Sequence, residues 1–298
     1  MLTADRAGKS TFSFGMWKSV YVLPLPQTPG VAITQMVPLT FYAGGHPITR
    51  LSDSNHSGFM VNVTLDLYAV VAAEAAELSV LGSWPRAQPV GLTVALKPGM
   101  NSVTLSIPAA QTRAVLLWHP HGHGEQPLYR IVASAAGANA TRKIGFRHAV
   151  LVTINDTDPA TAAAAKTQEG TGDLTMTFRV NGAAVYARGG SMVPMDLLNG
   201  RQSAEAYRRV IVSAAEGNFN TIRVWGGGIY MPRAFYDAAD DFGILLYHDL
   251  MFTGKANNPA DKWSLQIEEE VKYQIKRLSH HPAIMIWDSC NECKVSLL

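Results

Sequence analysis

An Asn-Glu pair, Asn291-Glu292, sits at the end of the apolar run Ala283-Ile284-Met285-Ile286-Trp287. Five apolar residues without alternation, directly after His281-Pro282, predict a strand buried on both faces, as in a parallel sheet. The C-terminal ends of such strands are where parallel α/β folds keep their reactive groups. Glu292 is therefore a carboxylate in a chemically useful place, and its plainer alternatives are a loop carboxylate or a helix N-terminus. Two further clusters offer chemistry by residue type. Trp118-His119-Pro120-His121-Gly122-His123-Gly124-Glu125 presents three alternating imidazoles and a carboxylate, and neutral imidazole is a common metal ligand. Its proline and glycines make a tight, irregular loop that runs into Gln126-Pro127-Leu128-Tyr129, so a structural role is expected. Cys290 and Cys293, the only two cysteines, flank the Asn-Glu pair as Cys-x-x-Cys. A zinc or redox site would need two more ligands or a reactive thiol in a βα setting. Neither is visible, and no metal or organic cofactor is expected.

The elements that must position these groups are legible from periodicity. Residues 10–24, with Phe12, Phe14, Trp17 and Val20-Tyr21-Val22-Leu23, predict an aromatic and β-branched strand ended by Pro24. From about residue 35 to 150 the pattern is all-β. Phe59, Val61, Val63, Leu65 and Leu67 alternate with Asn62, Thr64 and Asp66, which predicts a half-buried strand with Asn62 on its solvent face. Leu92, Val94 and Leu96, the turn Pro98-Gly99-Met100-Asn101, then Val103, Leu105 and Ile107 predict a hairpin. Short strands and polar turns fit a β-sandwich of immunoglobulin type. Residues 156–172, with the run Ala162 to Ala165, read as an inserted surface loop, and Asn181-Gly182 as a two-residue hairpin turn.

Beyond that point strands alternate with amphipathic helices. Val185-Tyr186-Ala187 is expected as the first strand. Tyr207, Val210, Ile211 and Ala214 then share one helix face, stopped by Gly217. Thr221–Trp225 and Ile244–Tyr247 predict the next two strands, separated by a short helix around Phe235 to Asp241. Ile267, Val271, Ile275 and Leu278 line the following helix, with Glu268 and Lys272 paired at i,i+4. Ile284 to Trp287 is the fourth strand. Asp237, Asp240, Asp241 and Glu268 to Glu270 are expected on solvated helix faces.

Composition narrows the function classes. With 47% apolar and 16% charged residues the 298-residue chain has the make-up of a globular protein, long enough for two or three domains. A net charge of +2 (25 basic, 23 acidic) and no basic stripe with interleaved aromatics argue against a nucleic-acid partner. No apolar run approaches the ~20 residues of a membrane span. Four Asn-x-Ser/Thr sequons, at Asn55, Asn62, Asn139 and Asn155, suggest a secretory-pathway protein whose start lies upstream of residue 1.

Taken in order, Asn220-Thr221-Ile222-Arg223-Val224-Trp225-Gly226-Gly227-Gly228-Ile229-Tyr230, Leu246-Tyr247-His248-Asp249-Leu250-Met251-Phe252, Tyr273-Gln274-Ile275-Lys276-Arg277-Leu278 and Trp287 to Glu292 resemble the catalytic barrel of β-mannosidases in glycoside hydrolase family 2. The loop Trp118 to Tyr129 is similar to the family's Trp-x-Pro-x-Gly-x-Gly-x-Gln-Pro-Leu-Tyr. The resemblance implies a multidomain chain: residues 1–34 the remnant of a jelly-roll sugar-binding domain, 35–152 the immunoglobulin-like β-sandwich, and 153–298 about four βα units of an incomplete (β/α)8 TIM barrel. It implies Glu292 as general acid/base, Asn291 as a hydrogen-bond partner of the sugar 2-hydroxyl, and Asp249 as a holder of sugar hydroxyls. Trp225 would line the sugar subsite and Arg223 would steady the nucleophile, the alternatives being a core tryptophan and a buried ion-pair member.

Retention needs two carboxyl groups roughly 5–5.5 Å apart. By the resemblance the nucleophile belongs to a later strand beyond residue 298, so this chain by itself is expected to be inactive. The expected activity of the parent is removal of terminal β-mannose from oligosaccharides, in a lysosomal or secreted setting. The alternatives are a family member acting on β-galactosides or β-glucuronides, or a non-catalytic carbohydrate-binding pseudoenzyme. Three departures from the family pattern stand out: Gly190-Ser191-Met192-Val193-Pro194 for Gly-x-Asn-Trp-Ile-Pro, His248 for Gln, and Trp287-Asp288-Ser289-Cys290-Asn291-Glu292 for Trp-Ser-Gly-Asn-Asn-Glu.

Overall fold

The computed structural model of the chain describes residues 20–23, 25, 30–53, 55–153, 177–196, 201–253 and 260–293. Most of the strand expected at 10–24, the loop expected at 156–172 and the sequon at Asn155 lie outside the described residues. The chain divides into two compact units, one spanning Pro26–Ala187 and the other containing Arg188–Leu298.

The first unit is a β-sandwich. β1 (Val31–Tyr42), β2 (Phe59–Ala69) and β5 (Gly99–Ile107) form one antiparallel sheet in the order β1-β2-β5. β3 (Ala73–Gly82), β4 (Val90–Leu96), β6 (Tyr129–Ala135) and β7 (Ala138–Ile144) form the other, in the order β4-β3-β6-β7. The core face of β2 is as expected: Phe59, Val61, Val63, Leu65 and Leu67 are all buried, each contributing about 1.5–3 kcal/mol of burial. On the opposite face Asp66 is buried too, accepting from the Ser102 hydroxyl. Phe59, Trp84 and Phe146 meet across the core as tilted and edge-on rings, 5.2–5.4 Å between centroids for the two pairs that share Phe146, a geometry that suits ring quadrupoles.

The hairpin expected around Pro98-Gly99 is not formed. β4 pairs with β3 while β5 pairs with β2, from Val61↔Ile107 to Ala69↔Gly99, so this turn carries the chain from one sheet to the other. Asn101 shapes the crossing by accepting from the Lys97 amide and donating to the Lys97 carbonyl. Because β4 joins the second sheet, the arrangement differs from the ABED/CFG pattern of constant immunoglobulin domains.

A small antiparallel sheet completes this unit: β8 (Ala149–Val152), β9 (Thr177–Val180) and β10 (Ala183–Val185), in the order β10-β9-β8. The Asn181-Gly182 turn has positive φ at both residues, as a two-residue hairpin requires. Asn181 is fully buried and donates to the Trp118 carbonyl while accepting from the His148 amide. Val185 thus belongs to an antiparallel hairpin rather than to the first parallel strand, and the unit boundary falls at 187/188 rather than 152/153.

In the second unit, β11 (Gly189–Met192), β12 (Thr221–Val224), β13 (Leu245–Asp249) and β14 (Ile284–Asp288) form one parallel sheet in sequence order. Helices α1 (Ala204–Glu216), α2 (Arg233–Phe242) and α3 (Ala260–Leu278) connect them. Ser203 caps α1 by accepting from the Ala206 amide, Gly217 ends it, and Gly243 ends α2 in the left-handed conformation. On α3, Lys272 pairs with Glu268 as the spacing predicted.

Helix α2 holds two of the strands by buried polar contacts. Asp240 was expected on a solvated face, yet it is 2% exposed. One of its oxygens lies 2.6 Å from His281 Nδ1, and the other accepts from the Ala283 amide at 3.0 Å, at the threshold of β14. Burial pushes the Asp240 carboxyl up from its ordinary range, and His281 opposes that shift. Asp240→Ala would strand a buried imidazole and a buried N–H, which costs about 3–5 kcal/mol. Urea unfolding of wild type and variant should show that loss, whereas Asp241→Ala on the exposed face should change stability by under about 0.5 kcal/mol.

Candidate functional site

The four parallel strands deliver their last residues to one end of the sheet. Register sets the neighbours: Ser191 opposite Arg223, Arg223 opposite Tyr247, and Asp249 opposite Asp288. At the centre is a charge pair. Arg223 Nε donates to Asp249 Oδ1 at 3.2 Å and Arg223 Nη2 to Oδ2 at 2.7 Å. Asp249 is fully buried, and the Gly226 amide donates a further hydrogen bond to Oδ2 at 2.9 Å. A bidentate arginine with a third donor is the arrangement that makes a buried carboxylate tolerable.

The same guanidinium reaches the next loop. Nη2 donates to Asn291 Oδ1 at 2.7 Å, and Asn291 Nδ2 donates to Thr253 Oγ1 at 2.9 Å. The Asn291 amide also donates to the Phe252 carbonyl at 3.0 Å. An asparagine side-chain amide has two hydrogens, and the second has no partner among the described residues. Arg223, Asp249 and Asn291, far apart in sequence, thus form one network. Glu292 comes directly after it, exposed to solvent, in the left-handed backbone region at φ 54°. That region costs a non-glycine residue about 1–2 kcal/mol.

Trp225 stands half-buried just past β12, its amide donating to the Met192 carbonyl at 3.2 Å. Two of the glycines after it are there for space. A Cβ on Gly227 would lie 2.0 Å from the Trp225 ring, and one on Gly226 would lie 2.5 Å from the Phe252 carbonyl oxygen. The ring and the 250–253 loop can occupy these places only over glycine.

Behind this layer His248 secures Asp249. Tyr236 of α2 accepts from the Met231 amide and meets His248 Nε2 at 2.8 Å; His248 Nδ1 lies 2.7 Å from the Asp249 carbonyl oxygen. The hydroxyl hydrogen therefore points at Nε2, and the network assigns the imidazole proton to Nδ1. Burial lowers the His248 pKa to about 4. Tyr236 stacks on this ring at 5.7 Å and Trp287 packs against it at 4.9 Å. At the margin Tyr247 donates to Asp288 Oδ2 at 2.6 Å, and that hydrogen bond, with burial, pushes the phenol up to about 12.

Sequence reasoning missed several members of the site: Tyr247, Asp288, Thr253 and the disulfide that joins Cys290 to Cys293. The Cys-Asn-Glu-Cys spelling was a usable signal for the disulfide; a tyrosine in a strand or a threonine in a loop offers none. The imidazoles of the 119–123 loop do not gather into a metal cluster among the described residues. His119 is buried against Asp53 at 3.3 Å, and burial lowers its pKa. Asp237, Asp240 and His281 do lie close together, but Asp240 and His281 bind each other and Asp237 pairs with Arg233. Of the sequon asparagines described, Asn55 and Asn139 are exposed and Asn62 is half-buried.

No family model matches the chain. A β-mannosidase of Rattus norvegicus is 32% identical over 210 residues, 68% of this chain and 22% of the rat protein. "Beta-mannosidase B" of Thermothelomyces thermophilus is 38% identical over 182 residues, 59% of this chain and 20% of that protein. "Beta-mannosidase A" of Aspergillus terreus is 28% identical over 292 residues, 95% of this chain and 30% of its own length. The chain thus spans only about a fifth to a third of the curated relatives it matches. Among solved structures, the β-D-mannosidase of Dictyoglomus thermophilum superposes with TM-score 0.67 at 23% identity, covering 86% of this chain and 29% of that one. A β-glucuronidase of Bacteroides uniformis superposes with TM-score 0.66 at 15% identity, covering 90% and 29%. These two likenesses speak for the fold.

His248 makes the second unit acid-sensitive in a defined window. Folded His248 stays neutral down to about pH 4, whereas the unfolded residue takes a proton near 6.5. The stabilisation is therefore complete above pH 6.5 and is lost as pH falls from 6.5 towards 4, by about 3 kcal/mol. Replacing His248 by Gln, the residue usual in the family pattern, removes the titration. The gap in urea unfolding free energy between pH 7.5 and 4.5 should be narrower in His248→Gln than in wild type by about 2–3 kcal/mol. Equal gaps would refute the assignment.

Proposed function

We propose, for a chain that belongs to the β-mannosidases of glycoside hydrolase family 2, that its second unit carries the acid/base side of a retaining glycosidase. The substrate we assign is an oligosaccharide ending in β-mannose. The observation that carries this reading is the Arg223–Asp249–Asn291 network, which fixes Asn291, the residue before Glu292, at the C-terminal ends of four parallel strands.

The roles rest on what each group can do. Glu292, exposed and next to the network, protonates the leaving oxygen and then takes a proton from water. Asn291, its oxygen tied to Arg223, turns its remaining amide hydrogen to the sugar 2-hydroxyl, a contact that strengthens in an oxocarbenium-like transition state. Trp225 offers ring surface to the apolar face of the sugar. Asp249 orients this end of the sheet rather than attacking carbon, because both of its oxygens already accept hydrogen bonds. Asp288 is likewise engaged, by Tyr247 and by the Cys290 amide. The second carboxylate that double displacement needs is therefore assigned to neither of them.

The choice of β-mannoside over other β-glycosides is supported by the curated relatives, since the structural likenesses extend to a β-glucuronidase at low identity. The full-length gene product should hydrolyse aryl β-mannosides in preference to β-galactosides and β-glucuronides. Glu292→Gln should lower turnover of poor-leaving-group β-mannosides by about 10²-fold or more. Cleavage of activated dinitrophenyl β-mannoside, which needs little protonation, should suffer far less in its first step. Equal losses on both substrates would make Glu292 a structural residue.

The parent protein is further proposed to pass through the secretory pathway, to a lysosomal or secreted destination. Exposed Asn55 and Asn139 support this, as does a disulfide, which persists in oxidising compartments. Treating the protein from eukaryotic cells with an N-glycosidase should raise its gel mobility; unchanged mobility would count against glycosylation.

A further inference from the structure

The strand-end loop contains a bond that takes no part in proton transfer or sugar binding. Cys290 and Cys293 are joined by a disulfide with Cα atoms 5.7 Å apart, a separation that a disulfide spans readily. The two residues inside this small ring are Asn291 and Glu292. Asn291 is tied to the fold by its backbone amide, its oxygen and its Nδ2. Glu292 has no such tie: its carboxylate has no hydrogen-bond partner among the described residues, and its backbone is left-handed at φ 54°. On the far side of Glu292, the bridge from Cys293 to Cys290 fastens the chain back to the strand end. Both cysteines are half-buried, so a small reductant can reach them.

We propose that Cys290 and Cys293 are positioning residues for Glu292, and that opening their disulfide with a dithiol lowers turnover. The proposal rests on the reading of Glu292 as acid/base. In the opening step a thiolate of the dithiol attacks one cysteine sulfur, the protein S–S bond breaks, and the other cysteine leaves as a thiolate. The second thiol of the reagent then resolves the mixed disulfide. The reagent is oxidised to its cyclic disulfide, and the protein gains two electrons and two protons as two thiols. With the ring open, the left-handed conformation at Glu292 loses its covalent constraint and the carboxylate leaves its working position. Misplacement of a reacting group by about 1 Å can cost on the order of 10²-fold in rate. The expected fall in kcat on poor-leaving-group β-mannosides is about ten- to a hundredfold, with a much smaller effect on the first step with activated aryl substrates. A merely stabilising disulfide would not produce that split.

The experiment uses the full-length gene product purified without reductant. Alkylation and peptide mapping should find Cys290 and Cys293 bonded, then both alkylated after dithiothreitol. Kinetics on the two substrate types are measured before and after reduction and after reoxidation with oxidised glutathione, with far-ultraviolet circular dichroism as a check on folding. The double variant Cys290→Ser, Cys293→Ser should show the same leaving-group split and no response of that split to dithiothreitol. Should that variant fail to fold, the reversible response of the wild type decides. If Glu292→Gln keeps full turnover, or the wild type hydrolyses no β-glycoside, the acid/base reading falls and this proposal with it. If Glu292→Gln loses turnover but neither reduction nor the double variant changes kcat, the positioning proposal alone is overturned. Two free thiols at 290 and 293 in the isolated protein would overturn it as well.

Discussion

The strand-end site depends on one buried charge pair. Asp249 is fully buried, and its carboxylate survives there because Arg223 meets it with two hydrogen bonds and the Gly226 amide adds a third. Removing Arg223 would leave the buried Asp249 charge uncompensated, which costs about 3–5 kcal/mol, whereas Arg223, with 33% of its side chain exposed, keeps access to water. The pair also fixes geometry. The Nη2 that meets Asp249 turns its other hydrogen to Asn291 Oδ1, and Asn291 is the residue before Glu292. Position therefore passes from β13 through β12 to the loop after β14 along a line of charge-assisted hydrogen bonds.

Helix α2 plays the complementary part from its place between β12 and β13 in the chain. Through Tyr236 it holds His248, and through His248 the carbonyl of Asp249. Through Asp240 it holds His281 and the amide of Ala283, where β14 begins. A ten-residue helix thus sets the end of one strand and the start of the next. Packing the aromatic rings of Tyr236, Trp287 and His248 together excludes water from these bonds, and a low local dielectric strengthens each of them. The price is acid sensitivity, since a buried imidazole resists the proton that the unfolded chain accepts.

The loop that carries Glu292 is built differently from the strands that precede it. Strand ends are rigid because backbone pairing fixes them on one or both sides, whereas a loop residue with positive φ needs some other constraint. Here a covalent bridge encloses the two residues at the tip. The family pattern Trp-Ser-Gly-Asn-Asn-Glu has no cysteine at this point, and the change to Asp288-Ser289-Cys290 brings with it the Tyr247–Asp288 hydrogen bond. These substitutions cluster in one loop, where Asp288 and Cys290 each make a tie to another residue.

Much of this was legible in the residues themselves. Alternation in Phe59 to Leu67 fixed which face of β2 is buried, because side chains on a strand point to opposite sides in turn. Apolar runs marked β12, β13 and β14, and Gly217 marked the end of α1, because those signals are local; β11, Gly189–Met192, has no such run and went unmarked. Of the candidate residues, Asn291 and Glu292 stood out by their place after an apolar run, whereas Arg223, Trp225 and Asp249 were implied by the family resemblance. What sequence could not decide was pairing. Nothing local in Leu92 to Ile107 distinguishes a hairpin from a turn between sheets; the choice is made by which distant edge offers hydrogen bonds, and β2 and β3 offered them to different strands. Val185 was misplaced for the same reason, since its partner Phe178 pairs antiparallel. Asp240 read as a surface acid because its partner, His281, lies far along the chain. Only the folded chain brings such groups within hydrogen-bond distance, and only there does a carboxylate become a strut rather than a solvated charge.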